Sequence, residues 1–231
     1  RSIMKKIGIL CAGDDELAPF LPHIGEHKIT KRAMLDFHEG NIHGIAVVVL
    51  YSGVCKVNAA IAAQLLIDVF HVDAVINAGT AGGIDEYVSL FDTVISTQVA
   101  YHDVAEDLLT EFHPWLPTNY FEADPDMLTL AERLQAGYTT LHFGKMMTGE
   151  QFISGSRRDE IKHNYAPLSV DMESAAIAHV CYVNAIPFLA IRTITDDAVH
   201  SGVETFSLNC QRAAAIAKDV TLELLAVLQP S

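Results

Sequence analysis

Ser169-Val170-Asp171-Met172-Glu173-Ser174-Ala175-Ala176-Ile177-Ala178 and, soon after, Pro187-Phe188-Leu189-Ala190-Ile191-Arg192-Thr193-Ile194 read as strand, helix and strand in succession. The first strand covers Ser169 to Met172, the helix Glu173 to Asn184 and the second strand Pro187 to Ile194. Working outward, the same alternation recurs. Lys6 to Ala12 has a buried-strand pattern and leads to a short helix from Glu16 that Pro22 limits. Met34 to Phe37 and His43 to Tyr51 flank Glu39-Gly40-Asn41 as a hairpin. Lys56 to Phe70 is helical, with Val57, Ile61, Leu65, Leu66 and Val69 on its apolar face. Ala74 to Ala78 forms a strand closed by the glycine-rich turn Gly79-Thr80-Ala81-Gly82-Gly83, and Asp92 to Val99 forms another. His102 to Asp126 reads as a long loop, of the kind that serves as a lid or an interface. Pro125 to Gln135 (helix), Leu141 to Thr148 (strand), a helix from Arg157 capped by Ser156, and a closing helix from Glu204 to Leu228 complete the chain. This alternation predicts an α/β fold: a single domain over residues 4–231, with a mixed, mostly parallel central β-sheet flanked by helices on both faces. Arg1-Ser2-Ile3, ahead of Met4, is set aside as an appended remnant.

Half of the 231 residues are hydrophobic, enough for a substantial core. The longest apolar runs, such as Ile45-Ala46-Val47-Val48-Val49-Leu50, fall far short of a membrane span. Fifteen basic against twenty-nine acidic residues give a formal charge of -14. With no dense Lys/Arg cluster, such a surface disfavours nucleic acid and anionic membranes. Cys11, Cys55, Cys181 and Cys210 are widely spaced in apolar stretches and read as reduced packing residues. A soluble, cytoplasmic protein is the expectation. The eleven histidines show no metal-ligand spacing, so neither a metal nor a cofactor is assigned.

Three carboxylates, Glu16, Glu173 and Asp196, stand where apolar strands give way to their neighbours. Such groups are placed for acid–base chemistry on a small molecule. Each also has a plainer reading. Glu173 suits a first helical turn, yet the small apolar residues after it argue for a buried carboxylate that needs a partner, such as vicinal ribose hydroxyls. Asp196 either pairs with Arg192 or donates a proton with its acidity weakened by burial. Asp197 is either the working carboxylate in its place or a cap for the next segment. Of Asp14, Asp15 and Glu16, one faces the sheet edge and the others are solvated. The glycine-rich turn lets backbone N–H groups approach a ligand, with Thr80 adding a hydroxyl, or it is purely structural. Its spacing does not fit a dinucleotide-binding loop.

Taken together these segments resemble the 5′-methylthioadenosine/S-adenosylhomocysteine nucleosidases of the nucleoside phosphorylase superfamily, from Lys6 to about Leu228. The resemblance is carried by Ile7 to Glu16, Ser52 to Ala60, Asn77 to Gly83, Tyr101-His102-Asp103, Gly149 to Ile153, Val170 to Glu173 and Arg192 to Asp196. It implies hydrolysis of the N-glycosidic bond between adenine and a 5′-thio-substituted ribose, with an adenine nucleoside as small-molecule partner. Asp196 would protonate N7, and Glu16 would activate water with help from Arg192 and Thr80. Glu173 and Met172 would hold the ribose, Phe152 would stack on the purine, and Ile153 would read the adenine edge. Val54 would line the sugar and 5′ pocket; Gly82 and Thr195 fall within the matching motifs. The resemblance also implies a homodimer, in which the His102 to Asp126 segment builds the interface and closes a neighbour's 5′ pocket.

Phosphorolysis is the nearest rival, but a phosphorylase needs arginines near the first strand and before the glycine-rich turn. The Gly13 to Phe20 loop has none, and Asn77-Ala78 precedes Gly79. A catalytically silent nucleoside binder is the second alternative. Asp171, Cys55, Thr80, Thr195 and Ser174 depart from the usual glutamate, glycine, serine, serine and glycine, and Glu106 brings charge near the presumed 5′ pocket. These departures bear on the preferred 5′ substituent.

Overall fold

The computed structural model describes residues 4–113 and 116–228. Arg1-Ser2-Ile3, Pro114 and Trp115 of the expected loop, and the last three residues of the expected domain lie outside the described residues. The first half of the chain runs β1 (Lys6–Cys11), α1 (Asp14–Leu17), a 3₁₀ turn (Ala18–Phe20), α2 (Leu21–Ile24), β2 (Lys28–Arg32), β3 (Leu35–Ile42), β4 (Ile45–Tyr51), α3 (Lys56–Asp68), β5 (Ala74–Gly83) and β6 (Thr93–Tyr101). Then follow α4 (Leu108–Glu111), β7 (Phe121–Glu122), α5 (Pro125–Glu132), a second 3₁₀ turn (Arg133–Gly137), β8 (Leu141–Thr148), α6 (Ser156–Tyr165), β9 (Ser169–Asp171), α7 (Ser174–Val183), β10 (Phe188–Asp196) and α8 (Val203–Leu228).

The strands form one mixed ten-stranded sheet. At its centre β4, β1, β5 and β10 lie side by side and parallel. β10 also pairs with β6, β6 with β8, β8 with β9, and β9 returns to β5, so five strands close on themselves. Alternation along the strands separates two cores. Ile7, Ile9, Ile76, Leu189 and Ile191 point to one face, where Val220, Leu224 and Leu225 of α8 and Met127 of α5 cover them. Leu10, Val48, Leu50 and Val75 point to the other face, under Ala59, Ala62, Ala63 and Leu66 of α3 and Ala175, Ala178 and Cys181 of α7. Helices thus cover both faces.

Several local expectations are corrected. The face of α3 that packs is Ala59, Ala62, Ala63 and Leu66, whereas Val57 and Ile61 are exposed. The helix is apolar nearly all round, so periodicity could not choose its inner face; small alanines win because they let α3 lie close against the sheet and α7. Glu39-Gly40-Asn41 lies inside β3, and the hairpin turns instead at His43-Gly44, with a further turn at Ala33-Met34 leading from the unforeseen β2. Gly40 is there because a Cβ would overlap the side chain of Ile24, a close approach of the kind that places glycine in strands. Pro22 does not stop the first helical segment; it opens α2, which ends at Gly25 with φ of 74°. The glycine-rich segment is the second half of β5 rather than a turn. The expected His102 to Asp126 loop contains α4 and β7.

Candidate active site

The carboxyl end of the central strands is where open α/β sheets hold ligands, and here it gathers the three carboxylates. Gly13 starts α1, which places Glu16 in its first turn. Glu16 Oε1 accepts the N–H groups of Ala12 at 2.8 Å and Gly13 at 3.1 Å. Its Oε2 accepts the N–H of Thr80 at 2.6 Å and the Thr80 hydroxyl at 3.0 Å. Gly79 makes this docking possible, since a Cβ there would overlap the Glu16 carboxylate. Asp14 and Asp15 beside it are exposed. Across β5, Asp196 pairs in register with Gly82. Glu16 and Asp196 are thereby fixed at positions two residues apart along β5, about 7 Å at the usual rise per strand residue.

Arg192, 2 % exposed, lies on β10 in register with Gly79 of β5. It does not pair with Asp196. Its Nε and Nη2 donate to Asn77 Oδ1 at 3.0 and 2.8 Å, Nη1 donates to the Thr80 carbonyl at 2.7 Å, and Nη2 also donates to Glu173 Oε1 at 3.2 Å. Arg192 therefore reaches Glu16 through Thr80. Burial works against its charge, but Asp171, Glu173 and Glu16 around it hold it cationic. The other oxygen of Glu173 accepts the Cys55 N–H at 2.9 Å. Burial pushes the Glu173 carboxyl up to about 7, reinforced by Asp171 and opposed by Arg192. Burial also raises Asp196, against the pull of the Thr195 hydroxyl at 2.7 Å and of Arg158. A carboxyl kept weakly acidic by a dry site is suited to giving up a proton. Asp197 caps the next turn by accepting the N–H groups of Val199 and His200.

These groups surround one cavity of about 410 Å³. The expected site residues line it: Glu16, Thr80, Gly82 and Val54 from the segments after β1, along β5 and after β4, Phe152 and Ile153 on the loop after β8, Met172 and Glu173 between β9 and α7, and Arg192, Thr195 and Asp196 from β10; Asp197 does not. The sequence profile of the Phosphorylase superfamily matches residues 6–226. The 5′-methylthioadenosine/S-adenosylhomocysteine nucleosidase of Exiguobacterium sp. is 37 % identical over 203 residues, 84 % of this chain and 85 % of its own. That of Actinobacillus succinogenes is 36 % identical over 232 residues, 97 % of this chain and all of its own. The structure of such a nucleosidase from Colwellia psychrerythraea 34H in complex with adenine superposes with a TM-score of 0.89 at 33 % identity, covering 97 % of this chain and 96 % of that one. The chain belongs to the 5′-methylthioadenosine/S-adenosylhomocysteine nucleosidase family.

Two departures of this nucleosidase from the family pattern acquire physical reasons. Asp171 Oδ1 accepts the N–H groups of Glu173 and Ser174 and the Thr148 hydroxyl, and Oδ2 accepts the Ser174 hydroxyl at 2.6 Å. The shorter carboxylate and the added hydroxyl complement each other at the start of α7, leaving Arg192 Nε 3.8 Å away. Cys55, by contrast, has φ of 78° and ψ of 170°, a region open essentially to glycine alone. Its strained backbone is what aims the N–H at Glu173. Cys55→Gly should therefore raise stability by about 1 kcal/mol, the relief of strain less the entropy cost of glycine, measured by urea unfolding. An unchanged or lower midpoint would show that the thiol's packing outweighs the strain.

Glu173 makes stability depend on pH. Its native value of about 7 exceeds the ordinary 4.5, so the folded state holds this proton more tightly. The stabilisation is complete below pH 4.5 and fades as pH rises to about 7. Relative to wild type, Glu173→Gln should gain roughly 3 kcal/mol between pH 4.5 and 8, whatever its constant offset. Parallel pH profiles for the two proteins would contradict this.

Sequence reasoning missed Val203, Phe206 and Cys210, which bring the start of α8 into the cavity wall. Phe206 meets the ring of Phe152 edge-on at 5.9 Å between centroids. The sequence marks this segment only as a closing helix from Glu204 to Leu228. Asn77, whose amide donates to the Leu10 carbonyl while its oxygen receives Arg192, was noted only as the residue before the glycines.

Proposed function

We propose that this chain hydrolyses the N-glycosidic bond of 5′-thio-substituted adenosines, such as methylthioadenosine and S-adenosylhomocysteine, and releases adenine. One observation carries the reading: a carboxyl made weakly acidic by burial and a carboxylate docked on the same strand face one cavity. As C1′–N9 breaks, its electron pair moves into the purine and Asp196 gives its proton to N7. Water attacks C1′ and gives a proton to Glu16. All four acceptor positions of Glu16 are occupied, so the water takes the place of the Thr80 hydroxyl, which is free to rotate. Glu173 and Met172 hold the ribose, and Glu173 offsets positive charge developing on the sugar. Phe152 stacks on the base, Ile153 reads its edge through backbone groups, Val54 lines the 5′ side, and Thr195 fixes Asp196.

Water rather than phosphate is favoured because Arg192 is the only cation among the described residues lining the cavity, and its Nε and both terminal nitrogens are already engaged. The test is adenine release from methylthioadenosine, S-adenosylhomocysteine and 5′-deoxyadenosine, with and without phosphate. Release independent of phosphate is expected. Phosphate-dependent release would make the protein a phosphorylase, and tight binding without release a silent binder.

We further propose that residues 4–231 act as one nucleosidase domain and work as a homodimer. Val57 is 70 % exposed, and Ile61, Tyr182 and Val183 are also exposed on the neighbouring α3 and α7, which Gln64 and Asn184 tie together. This apolar face adjoins exposed Val54 at the cavity, where a partner's segment would complete the 5′ side. Sedimentation at the mass of one chain would refute it. No helix among the described residues is long and apolar enough to cross a membrane. The free thiols of Cys11, Cys55, Cys181 and Cys210 favour a reducing, cytoplasmic setting.

A further inference from the structure

Arg158 sits in the first turn of α6, 3 % exposed, and its Nη2 donates to Asp196 Oδ2 at 3.1 Å. Its Nε and Nη1 have no acceptor among the described residues. For stability alone this is a poor arrangement. A cation at a helix N-terminus opposes the helix dipole. A buried guanidinium with two unpaired nitrogens forfeits the hydrogen bonds it had in water. A buried ion pair adds little over well-packed apolar side chains. Such coincident violations of local rules concentrate where a protein works. Arg158 does not line the cavity, yet its one partner does.

We propose that Arg158 is the positioning residue of the general acid: it anchors Oδ2 of Asp196 and stabilises the carboxylate left when the proton passes to the departing base. This rests on the assignment of Asp196 as the acid. When C1′–N9 breaks, the bonding pair enters the purine, N7 gains the proton, and a full negative charge appears on Asp196. The contact with Arg158 strengthens as that charge develops, so it favours the transition state over the bound substrate. The Thr195 hydroxyl holds Oδ1 at 2.7 Å, and the carboxyl plane is fixed from both ends. The charged groups acting on Asp196 are Arg158 from α6 and Asp197, the residue just after the end of β10. β5 faces it with Gly82, and α8 contributes the neutral Asn209, which donates to the Thr195 carbonyl. Asp197 is occupied by the His200 imidazole and two backbone N–H groups.

Arg158 and Thr195 pull the pKa of Asp196 down against the upward push of burial. Without Arg158 the proton is held to higher pH but is given up less readily. Arg158→Gln and Arg158→Met should therefore cut kcat for methylthioadenosine by about 10- to 100-fold and leave KM within about threefold. The alkaline limb of kcat/KM should move upward by about one pH unit or more, while Arg158→Lys keeps the limb near its wild-type position. Melting temperatures are recorded alongside. Neutral variants with the wild-type limb would overturn the proposal. Should both prove too unstable to assay, Arg158→Lys decides: kcat at least about threefold down at unchanged KM and melting temperature supports it, and wild-type kinetics overturns it. Asp196→Asn separates the two levels. If that variant still turns over, the acid assignment fails; if it is inactive while the neutral Arg158 variants behave as wild type, only the role of Arg158 fails.

Discussion

Asp196→Asn is expected to lower adenine release from methylthioadenosine by about 10²- to 10⁴-fold while adenine binding, measured by calorimetry, stays near the wild-type value. The asparagine amide fills the same volume, so the cavity keeps its shape, but its one oxygen meets either the Thr195 hydroxyl or Arg158, and the buried Arg158 loses its counter-charge at a cost in melting temperature. What the site loses is a proton of usable acidity. The purine must then leave with its negative charge unrelieved at N7, and the cost falls in the transition state rather than in binding. A drop in kcat with little change in KM is the signature. Turnover within tenfold of wild type would mean that another group protonates the base, and Asp197, tied to its own turn, is poorly placed for that.

Much of this site was legible because its residues sit at strand ends, where short apolar runs mark the carboxyl edge of the sheet. Lys6 to Ala12 and Pro187 to Ile194 could be read to within about two residues, since burial on both faces leaves a mostly apolar run. Glycines misled. Gly40 and Gly79 to Gly83 carry the composition of turns, yet they lie within strands because neighbouring side chains, Ile24 and Glu16 among them, need the space a Cβ would fill. Such a requirement is set by distant residues and leaves no local trace. The same holds for Arg158. Next to Arg157 it looks like one of two solvated helix charges, and only the docking of α6 against the end of β10 buries it on Asp196. Phe206 was hidden differently, because an amphipathic helix shows that a face is buried but not that part of it borders a cavity.

Glu16→Gln should lower turnover by about 10²- to 10⁴-fold and should also lower the melting temperature. Both effects come from the same four hydrogen bonds. Ala12 and Gly13 direct their N–H groups at one oxygen, and Thr80 directs its N–H and hydroxyl at the other. A carboxylate accepts from both sides; a glutamine amide accepts on one side only. Either its NH₂ meets the Ala12 and Gly13 donors, or it meets the Thr80 N–H, and a buried donor then goes unpaired at a cost of about 1–3 kcal/mol. The Thr80 hydroxyl can turn to accept, which limits the damage and keeps the variant folded. The water loses its proton acceptor in either orientation. Glu16→Asp supplies the control, since it restores a carboxylate on a stem too short to span from Gly13 to Thr80. It should recover part of the basicity while remaining less stable than wild type. A Glu16→Gln protein that binds adenine normally and still releases it within tenfold of the wild-type rate would show that the attacking water gives its proton to another group, and Glu173, raised to about 7 and facing the same cavity, would be the next acceptor to test.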